Sequence, residues 1–212
     1  MPYRASNPAN NFKKSFPIAL AKKNLFPVRP LPEIHSTSTI QELQDQCDQV
    51  SHELTEFIRE IPLEYLNASG YPEGWSPARN VRHISNTLSY LASYIGAPAW
   101  VIKARGAQKK KAPRIEDVRP TNRPPRYDYG TYHPGKPASP EQREKLIGRF
   151  QKALGKFKRA LQNRTEEDMD IRKGAFGGMN LRLFAEFALK HAVFHLSVVR
   201  TRLQTAQDSP EE

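Results

Sequence analysis

Four segments of the chain repeat apolar residues every three or four positions, which is the spacing of one face of an α-helix. The first predicted helix runs from about Ile40 to Ile61 and begins at the capping box formed by Thr39 and Glu42. Pro62 ends it, because proline disrupts a helix interior. Its buried stripe comprises Ile40, Leu43, Cys47, Val50, Leu54, Phe57 and Ile61. The chain's single cysteine lies in this stripe, so we interpret it as a core residue and not as a nucleophile.

The second predicted helix has a broad inward face. Ser76 caps it, and it runs from Pro77 to about Ile95 before resuming after Pro98 as far as Lys103. An aliphatic stripe lies beside a polar and aromatic one, which is typical of a helix with neighbours on two sides. The aliphatic stripe comprises Val81, Ile84, Leu88, Leu91 and Ile95. The polar stripe comprises His83, Thr87, Tyr90 and Tyr94.

The third predicted helix begins in the same way, with Ser139 as cap and Pro140 as first residue. Its buried stripe comprises Ile147, Phe150, Leu154, Phe157 and Leu161. Its outer face is rich in lysine and arginine, and the usual role of such a face is solvation.

The fourth predicted helix carries two histidines inside its apolar stripe. Asn180 caps this helix, which extends to about Thr205. His191 and His195 are four residues apart, so they lie one above the other on the helix. Two imidazoles in a core stripe are costly unless each has a partner. That partner is either a metal ion or a hydrogen-bonding group, and the spacing alone leaves both open.

Four amphipathic helices with no strand pattern predict an all-α four-helix bundle over residues 38–206. Residues 104–138 carry many prolines and basic residues and predict a long crossover between the second and third helices. Residues 1–37 are expected to be a basic, proline-rich, flexible arm, with a transit-like peptide as the less favoured alternative. Residues 207–212 are expected to be a disordered tail.

His83 is the third candidate ligand, because it lies at the inward margin of the second helix. The three histidines outside core-facing positions are His35, His52 and His133. Three neutral imidazoles with an open fourth position are a standard catalytic arrangement for zinc, and they also suit nickel, iron or copper. His83, His191 and His195 are therefore candidate ligands for one divalent metal, and hydrogen-bonded core histidines are the alternative at this point.

The net charge of +11 favours an anionic partner, which is either a small substrate or a nucleic acid. Four crossover arginines are candidates for orienting a carboxylate or phosphate: Arg114, Arg119, Arg123 and Arg126. Tyr90 and Tyr94 either line a pocket or pack between helices, and we favour packing. Arg202 either binds an anion or offsets the dipole of the fourth helix, and we favour the dipole.

The remaining sequence features favour a cytoplasmic location. The chain has no apolar run of about 18 residues, so no membrane span is expected. Its N-terminus lacks the apolar region of a secretory signal. A single cysteine excludes an internal disulfide and fits a reducing compartment. A homodimer is compatible with the sequence.

The order of these motifs resembles the DinB / YfiT-like family over roughly residues 38–205. The resemblance lies in Trp75-Ser76-Pro77 followed by His83, then a long crossover, then His191 and His195 near the end, with Gly177 and Gly178 before the last helix. It implies an up-down-down-up bundle with a three-histidine metal site at one end. Carried onto this sequence, the resemblance implies that His83, His191 and His195 hold one divalent metal, with zinc or nickel as the first candidates. Relatives include thiol S-transferases, a thiol-dependent isomerase and proteins assigned as metal-dependent hydrolases. The basic arm and the long crossover depart from the simplest members, which leaves the substrate open.

The first functional hypothesis is therefore a metal-dependent hydrolase or thiol S-transferase that activates water or a low-molecular-weight thiol. The alternative is a basic nucleic-acid-binding or scaffold bundle without catalysis, supported by the run Lys109–Lys111 and by Tyr127, Tyr129 and Tyr132. A bundle that holds a metal but has no activity is the third. The sequence identifies no general acid or base.

Overall fold

The computed structural model describes residues 29–104, 113–121, 130–171 and 179–208. These residues form four long helices, three short helices, one 3-10 helix and a two-stranded ribbon. In chain order the elements are α1 (Ile40–Glu60), α2 (Leu63–Leu66), β1 (Gly70–Tyr71), α3 (Pro77–Ile95), α4 (Ala99–Lys103), the 3-10 helix (Ile115–Asp117), β2 (Thr131–Tyr132), α5 (Pro140–Gln162), α6 (Glu166–Met169) and α7 (Leu181–Asp208). The predicted all-α bundle is confirmed.

The long helices begin at the capping residues expected from the sequence. The hydroxyl of Thr39 accepts the N–H of Glu42 at 3.1 Å, and the amide oxygen of Asn180 accepts the N–H of Leu183 at 2.9 Å. The hydroxyl of Ser76 accepts from the third residue of α3 in the same way. Each contact satisfies an N–H that the first helical turn leaves without an intrahelical partner.

The apolar stripe of α1 is buried in the common core, and Cys47 lies within it at 1% exposure. Burial, together with the neighbouring charge of Asp48, raises the pKa of the Cys47 thiol to about 12. The thiol therefore stays protonated at neutral pH, and the interpretation of Cys47 as a core residue is confirmed.

The four long helices enclose one core, with α3 and α1 each packed against both α5 and α7. Helices α3 and α5 run in the same direction. Arg149 donates to the side chain of Asn86 at 2.6 Å, and seven residues further along each helix Lys156 donates to Ser93 at 2.7 Å. Two consecutive parallel helices require a connection that returns along their whole length. The up-down-down-up order stays a prediction that these contacts support.

The described parts of the crossover pack on the bundle. The amine of Lys190 on α7 donates to the carbonyls of Ile115 and Glu116 at 2.7 and 3.1 Å, and Ile115 is fully buried. Further on, β2 pairs antiparallel with β1, so that Gly70 faces Tyr132. The sequence gives no strand pattern here because each strand has only two residues, too few for an alternating repeat.

The structure describes residues 29–37 of the expected arm, and three of them are buried: Pro32, Ile34 and Thr37. Ile34 joins the hydrophobic core at 7% exposure. The backbone N–H and the hydroxyl of Thr37 donate to one carboxylate oxygen of Glu186 on α7, at 2.6 and 2.7 Å. These contacts fasten the segment before α1 to α7.

Several predicted features lie outside the described residues. These are residues 1–28 of the arm, the Lys109–Lys111 run, Arg123, Arg126, Tyr127, Tyr129, the glycine pair Gly177 and Gly178, and residues 209–212 of the tail. Helix α7 continues to Asp208, so two residues of the expected tail, Gln207 and Asp208, are helical. Among the described helices, none has the length and apolar content needed to cross a membrane.

Candidate metal centre

Helices α3 and α7 bring the three candidate histidines together. One ring nitrogen each from His83, His191 and His195 lies within 4.8 Å of the other two. The Nε2 atoms of His83 and His191 are 3.1 Å apart. His195 is buried at 8% exposure, and the other two are half-buried. The juxtaposition expected from the sequence is therefore present, and the role of these residues as metal ligands is a proposal taken up below.

The cluster follows from the way the two helices pack. His191 and His195 are one turn apart on α7, and their ring centroids lie 4.5 Å apart. Helix α3 runs antiparallel to α7, which brings the ring of His83 to 4.6 Å from that of His195. At the other end of the same interface, Tyr94 packs edge-on against Phe184. His83 and Tyr94, at the two ends of that sequence stripe, thus both contact α7.

The side chain of Asn80 fixes the orientation of His195. The Asn80 Nδ2 group donates to the carbonyls of Trp75 and Ser76, both at 3.1 Å. Its Oδ1 atom, which can only accept, therefore faces His195 Nδ1 at 2.8 Å. The hydrogen of a neutral His195 ring must then lie on Nδ1, which leaves the lone pair on Nε2.

The crossover fixes the orientation of His191 in the same way. The carbonyl oxygen of Pro120 lies 2.8 Å from His191 Nδ1. A carbonyl only accepts, so the His191 Nδ1 atom carries the hydrogen and the Nε2 atom keeps its lone pair. A histidine that donates its outer N–H to a carbonyl or amide oxygen is the usual arrangement of a metal-binding imidazole.

The nitrogen spacing fits a shared metal ion. Two nitrogens bound at about 2.0–2.1 Å to one zinc ion lie about 2.8–3.4 Å apart, for bond angles between about 90° and 110°. The 3.1 Å between His83 Nε2 and His191 Nε2 falls in this range. The same distance also fits a hydrogen bond from His83 to His191. The spacing of these residues therefore fits a metal ion. A metal bound between them would take the place of the direct contact between His83 Nε2 and His191 Nε2.

Aromatic rings surround the histidines. The indole of Trp75 stacks on His195 with 5.9 Å between centroids and meets His83 edge-on at 5.0 Å. Phe187 stacks on His191, and Phe194 contacts His195. Apolar walls of this kind restrict solvent and strengthen electrostatic interactions within the site.

The other three histidines lie at exposed positions, as the sequence indicates: His35, His52 and His133. The expected packing between helices is wrong for Tyr90, which is 67% exposed. It is confirmed for Tyr94, which packs against Phe184 between α3 and α7. Arg114 is exposed and paired with Glu116. Arg119 is exposed and directly precedes Pro120.

The expectation that Arg202 offsets the dipole of the last helix is wrong. Helix α7 extends six residues beyond Arg202, to Asp208, so the guanidinium lies outside the last turn, where the dipole acts. Arg202 is also only 2% exposed, and its guanidinium lies 5.9 Å from the centre of the Tyr132 ring.

Three residues of the site are missing from the sequence-based prediction: Asn80, Pro120 and Tyr132. Asn80 lies three residues before His83 and so shares its side of α3, which is a signal available in the sequence. Pro120 contributes a backbone carbonyl, and no residue type signals that contribution. Tyr132, expected from the sequence as a residue that could stack on nucleic-acid bases, is only 1% exposed, so that expectation is wrong. It donates its hydroxyl to the Trp75 carbonyl at 3.0 Å through the unpredicted ribbon.

A cavity of about 370 Å³ lies beside the centre, between α7, the segment before α1 and the crossover. Its apolar lining includes Ile34, Pro120 and Phe194, and its polar lining includes Glu116 and Lys190. Pro120 and Phe194 touch the histidine cluster as well, so these two residues separate the cavity from the centre.

The fold and the site together define a helical bundle with three clustered histidines whose placement is compatible with a metal site. The family model of the DinB superfamily matches residues 30–199, and the chain belongs to this superfamily. No curated protein and no solved structure matches the chain. The resemblance noted from the motifs is thereby confirmed.

Proposed function

We propose that this chain is a metal-dependent enzyme of the DinB type, in which His83, His191 and His195 hold one divalent metal, zinc or nickel. One observation carries the proposal. The outer nitrogens of His191 and His195 are both occupied by acceptors, while ring nitrogens of all three histidines converge within 4.8 Å. Lone pairs that converge on one point repel one another, whereas a cation at that point would be bound by all of them. The surrounding aromatic rings favour such binding because they restrict solvent.

The chemistry we propose is the activation of water or a low-molecular-weight thiol, in a hydrolase or an S-transferase. A divalent metal held by these imidazoles would lower the pKa of such a nucleophile. Asn80 and the Pro120 carbonyl hold the hydrogens of His195 and His191 on Nδ1, which keeps their Nε2 atoms unprotonated. Trp75 covers His195 and His83 and restricts the access of bulk water to them.

The substrate we propose is a small anionic molecule or one that carries a thiol. Arg119 supports this choice, because it is exposed and adjacent to the proline whose carbonyl orients His191. A guanidinium is well suited to bind a carboxylate or a phosphate group. A cytoplasmic location and a homodimer stay predictions from the sequence.

The decisive experiment measures the metal content of tag-free protein. The parent chain is compared with the double variant His191→Ala/His195→Ala and with the control His52→Ala/His133→Ala, which removes two exposed histidines. We expect about one equivalent of metal in the parent and the control, and none in the first variant. Equal metal content in all three proteins would refute the proposed site.

A bundle that acts by binding nucleic acid is the second candidate. The observation that favours it is the outer face of α5, where Lys145, Arg149, Lys152, Lys156 and Arg159 are all exposed. Binding through that face predicts affinity for nucleic acid that falls steeply with salt. This affinity would be unchanged in the double variant of His191 and His195, which separates the two candidates.

A further inference from the structure

A buried arginine lies two turns beyond His195 on the same side of α7. Arg202 follows His195 by seven residues, so the two side chains leave nearly the same face of the helix about 10 Å apart along its axis. Only 2% of Arg202 is exposed. Buried guanidinium groups are costly unless the fold uses them, so the surroundings of this one need an explanation.

Two glycines form the surface on which the Arg202 guanidinium rests. A Cβ atom added at Gly70 would overlap the Nη1 atom of Arg202, and a Cβ atom added at Gly74 would overlap the same atom. The φ angle of Gly74 is +149°, which disfavours any other residue there. Glycine at both positions is therefore what lets the loop from Gly70 to Gly74 close onto Arg202.

This loop leads directly into the metal centre, because Trp75 follows Gly74. The Trp75 carbonyl accepts hydrogen bonds from Asn80 and Tyr132, at 3.1 and 3.0 Å. The Trp75 indole stacks on His195. The position of the loop thus determines both the indole that covers the histidines and the carbonyl that orients Asn80.

We propose that Arg202 is a positioning residue for the three-histidine centre. It seats the Gly70–Gly74 loop against α7 and thereby holds Trp75 over His195 and the Trp75 carbonyl toward Asn80. The part of this inference that concerns metal affinity rests on the proposed function. The part that concerns the placement of Trp75 does not.

A purely structural role makes a different prediction. Replacing a buried charge by an apolar side chain of similar size is often neutral or stabilising. If Arg202 has only a structural role, Arg202→Met should change at most the thermal unfolding midpoint and leave the position of Trp75 unchanged. Under the positioning role, the same substitution releases Trp75 even when the bundle stays folded.

The experiment uses the full chain with Trp100→Phe, which leaves Trp75 as the only tryptophan. Trp100 is 75% exposed, so its replacement disturbs little. Arg202→Met and Gly70→Ala are compared with Val50→Ala, a buried change in α1 that serves as a destabilised control. Three quantities are measured: quenching of Trp75 fluorescence by acrylamide, zinc affinity against a chromophoric chelator, and the thermal unfolding midpoint.

We expect Arg202→Met and Gly70→Ala each to increase the quenching of Trp75 and to weaken zinc binding about 10-fold. Val50→Ala should lower only the unfolding midpoint. In a combined Arg202→Met/Gly70→Ala variant, the Gly70→Ala change should add little to the effect of Arg202→Met, because the overlap requires the guanidinium. If Arg202→Met does not fold, Gly70→Ala alone carries the test.

The inference is overturned if Trp75 quenching in both variants equals that of the parent. If the parent binds neither zinc nor nickel, the proposed function fails, and the quenching comparison still decides the role of Arg202. If quenching rises and zinc affinity stays unchanged, Arg202 positions the loop but not the centre, and the inference is wrong.

Discussion

Helix α7 carries two buried polar clusters on different faces, and they are built in opposite ways. In the first cluster, the backbone N–H and the hydroxyl of Thr37 both donate hydrogen bonds to one carboxylate oxygen of Glu186. The accepting capacity of that oxygen is thus used within the protein. Further along α7, His191 and His195 each direct the outer nitrogen, Nδ1, to an acceptor of the protein. Their inner nitrogens converge with that of His83.

The difference separates a structural cluster from a candidate functional one. Both clusters reduce the cost of burying polar groups by hydrogen bonding. The Glu186 cluster does so by joining the segment before α1 to α7, and this joins distant parts of the chain. The histidine cluster joins α3 to α7 and also directs lone pairs at one point, which is where a cation would bind.

Of the changes that test this comparison, the substitution Glu186→Ala should have the largest effect, which is on the free energy of unfolding. Glu186→Ala leaves the N–H and the hydroxyl of Thr37 without their acceptor, and each unsatisfied donor costs about 1–3 kcal/mol. We expect the free energy of unfolding to fall by about 2–4 kcal/mol, with metal content unchanged. Urea unfolding measures it, and Glu144→Ala, an exposed position, is the control. A loss of metal would show that the two clusters are not separate.

The next effect concerns metal affinity at Asn80. Asn80→Ala removes the acceptor that orients His195, and loss of such a partner typically costs 10–100-fold in metal affinity. We expect a decrease of about 10–100-fold in a zinc competition titration. Asn86→Ala changes an exposed asparagine on the same helix and should have no effect. Equal affinities in the two variants would contradict the orientation of His195 through Asn80.

The smallest expected effect is on the pH dependence of stability. Carboxylates near α7 contribute to it in opposite directions, because the pKa is lowered for two of them and raised for a third. Hydrogen bonds from Ser36 lower the pKa of Glu116 to about 2, and the N–H of Ile40 lowers that of Glu166. Both carboxylates therefore stabilise the fold above about pH 4.5, and this contribution is lost as the pH falls toward the lowered values. Burial raises the pKa of Glu186, so its ionisation opposes folding as the pH rises through the raised value.

Unfolding measured between pH 2 and 7 tests these signs. Glu116→Gln should flatten the loss of stability toward acid. Glu186→Gln keeps an acceptor for Thr37 and should gain relative to the parent chain at pH 7, but not at pH 3. Parallel pH profiles for the parent and Glu186→Gln would show that the Glu186 carboxylate is not desolvated.

Local signals account for what the sequence predicts well. Capping residues such as Thr39 and Asn180 act within one helical turn, and an apolar stripe is a property of one helix. The three histidines are recognisable for a similar reason, since each lies on an inward-facing stripe of its own helix. These features depend on residues within one helix and not on contacts with distant segments of the chain.

Contacts between distant segments account for what the sequence does not predict. The β1–β2 ribbon pairs residues about sixty positions apart, and the Pro120 carbonyl reaches His191 from a segment with no regular repeat. The burial of Ile34 depends on the packing of the segment before α1 on the core. Position 70 requires glycine because of Arg202, which lies on α7 and is distant in sequence. None of these arises from a pattern within one segment.

The central claim is that three imidazoles converge on one metal ion, and X-ray absorption of the zinc-loaded chain tests it most directly. We predict a zinc ion with three imidazole nitrogens at about 2.0–2.1 Å and a remaining light-atom ligand from solvent. The Asn80→Ala protein, loaded to the same occupancy, is the matched comparison for the orientation of His195. A zinc ion with fewer than three imidazole ligands in the parent chain would contradict the account.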